Sequence, residues 1–258
     1  MDRFFVRSRD RKNKPGEKGF PVTKLNIAVT GLGRNVGTTL VSSALAFFFE
    51  EKDYNVSFTE CREPADAESL FYDSVSMDKR FANRNFADIY KCIDEGITMK
   101  NAVNLEGNIN WTLVTPENRR AGIKLSSEKR GRLIQSARGD ICIFDIEPRN
   151  EWNAYLLDMD MILVAVDPMP SKLIGSADRF RRLRKMEFDG TEIKWIVNRV
   201  NNGINKREVK KYLKSENVFW LENIASEKIY ASEYSSAFFW ENGEIRNIMD
   251  RLFTEILH

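Results

Sequence analysis

The segment Thr30–Leu40, TGLGRNVGTTL, constrains this chain more than any other. Leu25–Thr30 is a short apolar run that reads as a strand, and Val36–Glu51 carries the small and apolar pattern of a helix. Joining them through Gly31, Gly33 and Gly37 puts unpaired backbone N–H groups at a helix start, where an anion is favoured. Glycines let those N–H groups curl around a phosphate with no Cβ in the way. A plain strand-to-helix turn is the bland alternative; three glycines and the paired Thr38 and Thr39 favour the phosphate site.

The rest of the chain repeats the strand-and-helix alternation. Val56–Glu60, Ile109–Val114, Ile141–Asp145, Met161–Val166, Ile193–Val197 and Val218–Leu221 read as strands. Phe86–Glu95, Glu128–Arg138 and Asp178–Lys185 read as helices between them. Alternation of this kind implies a mostly parallel sheet covered on both faces. Glu244–His258 is amphipathic at helical spacing through Ile245, Ile248, Met249, Leu252, Phe253, Ile256 and Leu257. Its polar face mixes both signs of charge, so it is expected to pack on the core rather than lie on a membrane.

Charge divides the chain into two parts. Residues 1–24 hold eight basic and three acidic side chains, against a net +2 for the whole. Residues 1–23, with two prolines and two glycines, read as a basic flexible arm, and 24–258 as the folded domain. No leader opens the sequence and no apolar run approaches the ~18 residues of a membrane span, so a cytoplasmic protein is expected. Phe4 and Phe5 among the arm's arginines suggest contact at the inner face of the membrane or with an acidic partner. Nucleic acid is a less favoured partner for the basic run 178–185, which a solvated helix face explains as well.

Composition narrows the chemistry. The single histidine is His258, which leaves no room for histidine-rich metal sites. Cys61, Cys92 and Cys142 form no CxxC pair, so buried reduced thiols are expected. Any chemistry must use backbone amides, hydroxyls, carboxylates, lysine or arginine.

The glycine loop resembles a P-loop, GxxxxGK[ST], with Thr38 where the lysine belongs and Thr39 at the magnesium-binding hydroxyl. More specifically it resembles the KGGVGKTT loop of the MinD/ParA ATPases, in an atypical Walker A form. Aligning Val36–Leu40 on that family's motif places Gly33 at its second lysine, so both lysines are absent and Arg34 is the loop's one cation. The pattern looks most like the TadZ/CpaE pilus-assembly branch. The resemblance implies a three-layer α/β/α P-loop NTPase fold with a mostly parallel central sheet. It further implies ATP and Mg²⁺ as ligands and a nucleotide-dependent homodimer. The function implied is the spatial positioning or assembly of a pilus, secretion or division machine through a protein partner.

Residue by residue, the resemblance assigns phosphate contacts to Gly31, Gly33, Arg34, Asn35, Val36, Gly37, Thr38 and Thr39. It assigns Mg²⁺ to Thr39 and Asp145, the latter closing the apolar run ICIFD, and the adenine side to Asn198 and Arg199. The catalytic carboxylates would be Glu60 or Glu63. Glu60 aligns with the family's first aspartate, and Arg62 with the one that orients water. ATP hydrolysis is therefore expected to be slow or lost. Two other readings stay open: an ATP-dependent enzyme resembling dethiobiotin synthetase, whose loop is similar, and a nucleotide-free scaffold.

Overall fold

A computed structural model describes residues 24–75, 85–97 and 103–257. The basic arm, residues 1–23, lies outside them, as does His258. The strands are β1 Leu25–Gly31, β2 Val56–Cys61, β3 Leu105–Glu106, β4 Ile109–Thr112, β5 Ile141–Ile146, β6 Met161–Val166, β7 Ile193–Val200 and β8 Val218–Glu222. The helices are α1 Thr38–Glu50, α2 Phe71–Ser74, α3 Ile89–Glu95, α4 Pro116–Arg120, α5 Ser127–Ser136, α6 Pro170–Gly175, α7 Ala177–Phe188, α8 Lys206–Leu213, α9 Ser226–Tyr234 and α10 Gly243–Leu257.

The strands form one sheet in the order β3-β4-β2-β5-β1-β6-β7-β8. Every pairing is parallel except β3 with β4 at the edge. Apolar residues fill β1, β5 and β6 without alternation because both faces are covered. Ile27 and Val29 point into one core with Ile143 and Leu163, while Ala28 points into the other with Phe144 and Val164. The first core is closed by α1 and α10, the second by α3, α5, α7 and α8. The three-layer arrangement expected from the alternation is thus present.

Helix boundaries follow local chemistry. Asp88 caps α3 by accepting from Lys91 N–H, and Gly96 ends it in the left-handed conformation. Ser126 caps α5 in the same way. The amphipathic C-terminal segment packs as expected: Ile245, Met249, Leu252, Phe253 and Ile256 are buried, and Phe253 meets Phe48 of α1 edge-on at 5.4 Å between centroids. Residues 150–158 form a 3-10 stretch that the sequence pattern does not announce.

Chain order places the site. β1 lies between β5 and β6; the chain leaves β1 toward β2 on one side and crosses it from β5 to β6 to reach the other. Open parallel sheets bind ligands at the carboxyl ends of their strands where such a reversal occurs. Gly31, Cys61, Ile146 and Val166 end their strands at that edge.

Candidate functional site

The glycine loop closes tightly between β1 and α1. A Cβ on Gly31 would overlap the carbonyl of Gly33, and Leu32 N–H donates to Ala165 O at 2.8 Å. Asn35 and Gly37 take left-handed φ angles of 56° and 91°, which turn the chain into the first turn of α1. Gly37 has no side chain to cap α1, and among the described residues its first N–H groups meet no side-chain cap, which leaves them open to a ligand.

Three side chains from distant elements hold this loop. Asn198 Nδ2 donates to Val36 O at 2.8 Å. Arg199, itself at φ 59°, donates to Asn35 O at 3.0 Å and to Asp167 Oδ2 at 2.8 Å. Arg179 lies behind the loop and is 8% exposed. It donates to Gly31 O at 2.8 Å, Thr30 Oγ1 at 2.9 Å and Asn153 Oδ1 at 2.7 Å. Burial, with Arg182 adding, pulls its pKa down to about 10, so it remains a cation at neutral pH. Arg179 therefore leaves the solvated basic face that its sequence neighbours suggest.

Beside the loop, sheet register pairs Glu60 of β2 with Asp145 of β5, so the two carboxylates emerge next to each other on the α1 side. Both are buried. Thr39 Oγ1 donates to Asp145 Oδ2 at 2.8 Å. The Arg62 guanidinium enters between them: Nη2 is 3.0 Å from Asp145 Oδ2, 3.3 Å from Glu60 Oε1 and 3.4 Å from Thr39 Oγ1. Glu60 Oε2 accepts from Val114 N–H at 2.8 Å, and Tyr90 OH donates to the Glu60 carbonyl. Burial pushes the Glu60 carboxyl above its ordinary range, offset only in part by Arg62 and the Val114 N–H. Burial raises Asp145 likewise, against Arg62 and the Thr39 hydroxyl. Burial opposes charge on Arg62, but Glu60 and Asp145 outweigh it and hold the guanidinium firmly protonated.

This arrangement does not fit Mg²⁺. The ion requires octahedral oxygens at ~2.0–2.1 Å and keeps several waters. Here the Arg62 guanidinium occupies the space beside the Thr39 hydroxyl and the Asp145 carboxylate that would face the ion and its waters. Among the described residues, no group of three or more His, Cys, Asp and Glu side chains could hold a metal ion.

The loop and this cluster open on a cleft of about 520 Å³. Gly33, Arg34, Asn35, Gly37, Thr38 and Thr39 line it, as do Arg62, Asp145, Asn198 and Arg199. Gly31 and Val36 shape the loop from behind without lining the cleft. Glu60 and Glu63, expected to serve catalysis, do not line it either. Glu63 turns toward α5, with Oε1 2.7 Å from Arg130 Nε and Oε2 accepting from Leu125 N–H at 2.9 Å. Arg34 pairs at the rim with Glu68 at 3.0 Å, where both side chains are exposed. The far wall is built from Asn223, Ile224, Ile229 and Tyr230, which sequence reasoning missed. They follow β8 and begin α9, a segment with no phosphate-loop or charge signature to mark it.

No protein-family model and no curated protein sequence matches the chain. Solved structures do. The MinD cell division protein of Aquifex aeolicus superposes with a TM-score of 0.67 at 15% identity, covering 91% of this chain and 98% of its own. The septum site-determining protein MinD of Pyrococcus horikoshii, complexed with Mg-ADP, gives 0.67 at 14%, covering 91% and 96%. A ParA family ATPase from Chlorobium tepidum gives 0.66 at 15%, covering 92% and 100%. The fold is that of the MinD and ParA proteins. At these identities the likeness extends to the fold, while residue roles rest on the geometry above.

Proposed function

We propose that this chain is a nucleotide-binding protein of the MinD/ParA kind that positions or assembles a cellular machine and hydrolyses ATP slowly or not at all. The observation that carries the reading is the glycine loop. It is held in shape by Asn198, Arg199 and Arg179 and opens the uncapped start of α1 into the cleft at the carboxyl end of the sheet. Backbone N–H groups of a preformed loop can bind phosphate without either lysine, at reduced affinity. Arg34 can add charge, since an exposed pair such as the one with Glu68 is worth only ~0–1 kcal/mol and is easily exchanged. Ile224 and Tyr230 offer the base an apolar wall.

Loss of hydrolysis follows from the carboxylates. Glu60 is sealed between Val114 N–H and Arg62, and Glu63 is spent on Arg130, so neither can orient a water at the cleft. Nucleotide would act as a structural ligand that closes two copies on each other, in the manner of the TadZ/CpaE branch that the loop resembles. The basic arm would then serve recruitment to a partner or an anionic membrane surface.

Calorimetry with ATP and ADP at millimolar concentration tests the reading, with light scattering for the dimer and phosphate release for turnover. Heat of binding, a nucleotide-dependent rise in mass and background turnover are expected. A folded protein that gives no heat with either nucleotide leaves only a scaffold.

A further inference from the structure

Arg62 lies at the point of the site where three oxygens converge. Asp145 Oδ2, Glu60 Oε1 and Thr39 Oγ1 stand 3.0, 3.3 and 3.4 Å from its Nη2. Two carboxylate oxygens and a hydroxyl are the donors a hard divalent cation would gather beside a phosphate. Here a guanidinium gathers them. It is tethered to the end of β2, mostly buried, and it lines the cleft together with Thr38 and Thr39.

We infer that Arg62 is a built-in cation that stands where a divalent ion would sit, so that this protein takes nucleotide as the metal-free anion. The inference rests on the nucleotide reading above and goes beyond it in naming the ionic form of the ligand. Three physical points support it. A fixed positive charge a few ångströms from the site repels a second cation, and the more strongly the lower the local dielectric. Arg62 Nη2 faces both the Thr39 hydroxyl oxygen and the Asp145 carboxylate, so the lone pairs a cation would use already meet its N–H donors. The planar guanidinium matches phosphate oxygens as well as carboxylates, and its remaining N–H donors can turn to the ligand.

Ejecting Arg62 to admit a metal would leave Glu60 and Asp145 facing each other with Glu60 Oε1 already short of a hydrogen bond. Buried like charges of this kind are costly until an ion binds them.

Two measurements on the full chain decide the matter. The first compares ADP and ATP titrations in excess Mg²⁺ and in EDTA; the affinities are expected to agree within about twofold. A loss of tenfold or more in EDTA, ~1.4 kcal/mol, overturns the inference. The second needs no nucleotide: Mn²⁺ is added to the protein and bound ion is read by electron paramagnetic resonance. The wild type is expected to hold none at this site, while Arg62→Ala gains a site that Asp145→Asn removes again. Mn²⁺ bound by the wild type and lost in Asp145→Asn overturns the inference, as does an Arg62→Ala variant that is folded yet gains nothing. If Arg62→Ala does not fold, Arg62→Gln, which keeps a donor for Asp145, takes its place. Absence of nucleotide binding in both buffers would sink the nucleotide reading while the Mn²⁺ result still decides the role of Arg62.

Discussion

Arg62 and Asp145, on neighbouring strand ends, are joined by a 3.0 Å contact between Nη2 and Oδ2 that buries a cation inside the expected magnesium site. Removing one partner of a buried ion pair typically costs ~3–5 kcal/mol, because the other charge is stranded. Arg62→Ala in EDTA should therefore lower the urea midpoint, with a loss of unfolding free energy in that range. An unchanged midpoint would show that Glu60 and Asp145 neutralise each other by sharing a proton instead.

The pH dependence of stability has a definite sign. Burial raises both Glu60 and Asp145 in the folded state. The fold thus binds protons more tightly than the unfolded chain. The stability from this source is complete below the ordinary carboxylate range, ~4, and is lost as pH rises through the folded-state values. Glu60→Gln keeps an oxygen for Val114 N–H and abolishes the titration, so it should flatten the decline. Denaturant unfolding at a series of pH values checks this, and an identical slope in wild type and variant would refute it.

The glycine loop predicts a coupled pair. A Cβ at Gly37 would overlap Asn198 Nδ2, and φ 91° disfavours any side chain. Gly37→Ala should cost ~1–3 kcal/mol from the backbone alone, plus the overlap. In an Asn198→Ala background the overlap vanishes and the strain stays, giving a coupling of ~0.5–3 kcal/mol in a double-mutant cycle. Strictly additive losses would mean that the two positions do not meet.

Arg179 and Arg181 stand two residues apart and should behave differently. Arg179→Met strips donors from Gly31 O, Thr30 Oγ1 and Asn153 Oδ1 beneath the loop, and should cost at least ~2 kcal/mol. Arg181 pairs with Asp178, both largely exposed, so Arg181→Ala should stay within ~0.5 kcal/mol. Equal effects in thermal melts would contradict the buried placement of Arg179.

The sequence by itself determined what depends on near neighbours. The strand, glycine turn and helix of Leu25–Glu50 were legible because a short apolar run, the change to a helical pattern and the φ freedom of glycine are local properties. The parallel sheet followed from the alternation of strand-like and helix-like segments, and the docking of α10 from seven apolar positions at helical spacing. Asp145 at the end of its strand was legible for the same reason.

Tertiary structure alone decided what those parts face. Arg62 reaches Asp145 across 83 residues, Arg179 reaches Gly31 across 148, and Asn198 reaches Val36 across 162. Glu63 is turned to Arg130 by a loop, and Tyr230 joins the cleft because α9 follows the last strand. Pattern and propensity set which face of an element is apolar. Which charge meets which is set by sheet register and by burial, where a carboxylate deprived of water takes the nearest cation the fold supplies. In this chain that cation is an arginine side chain.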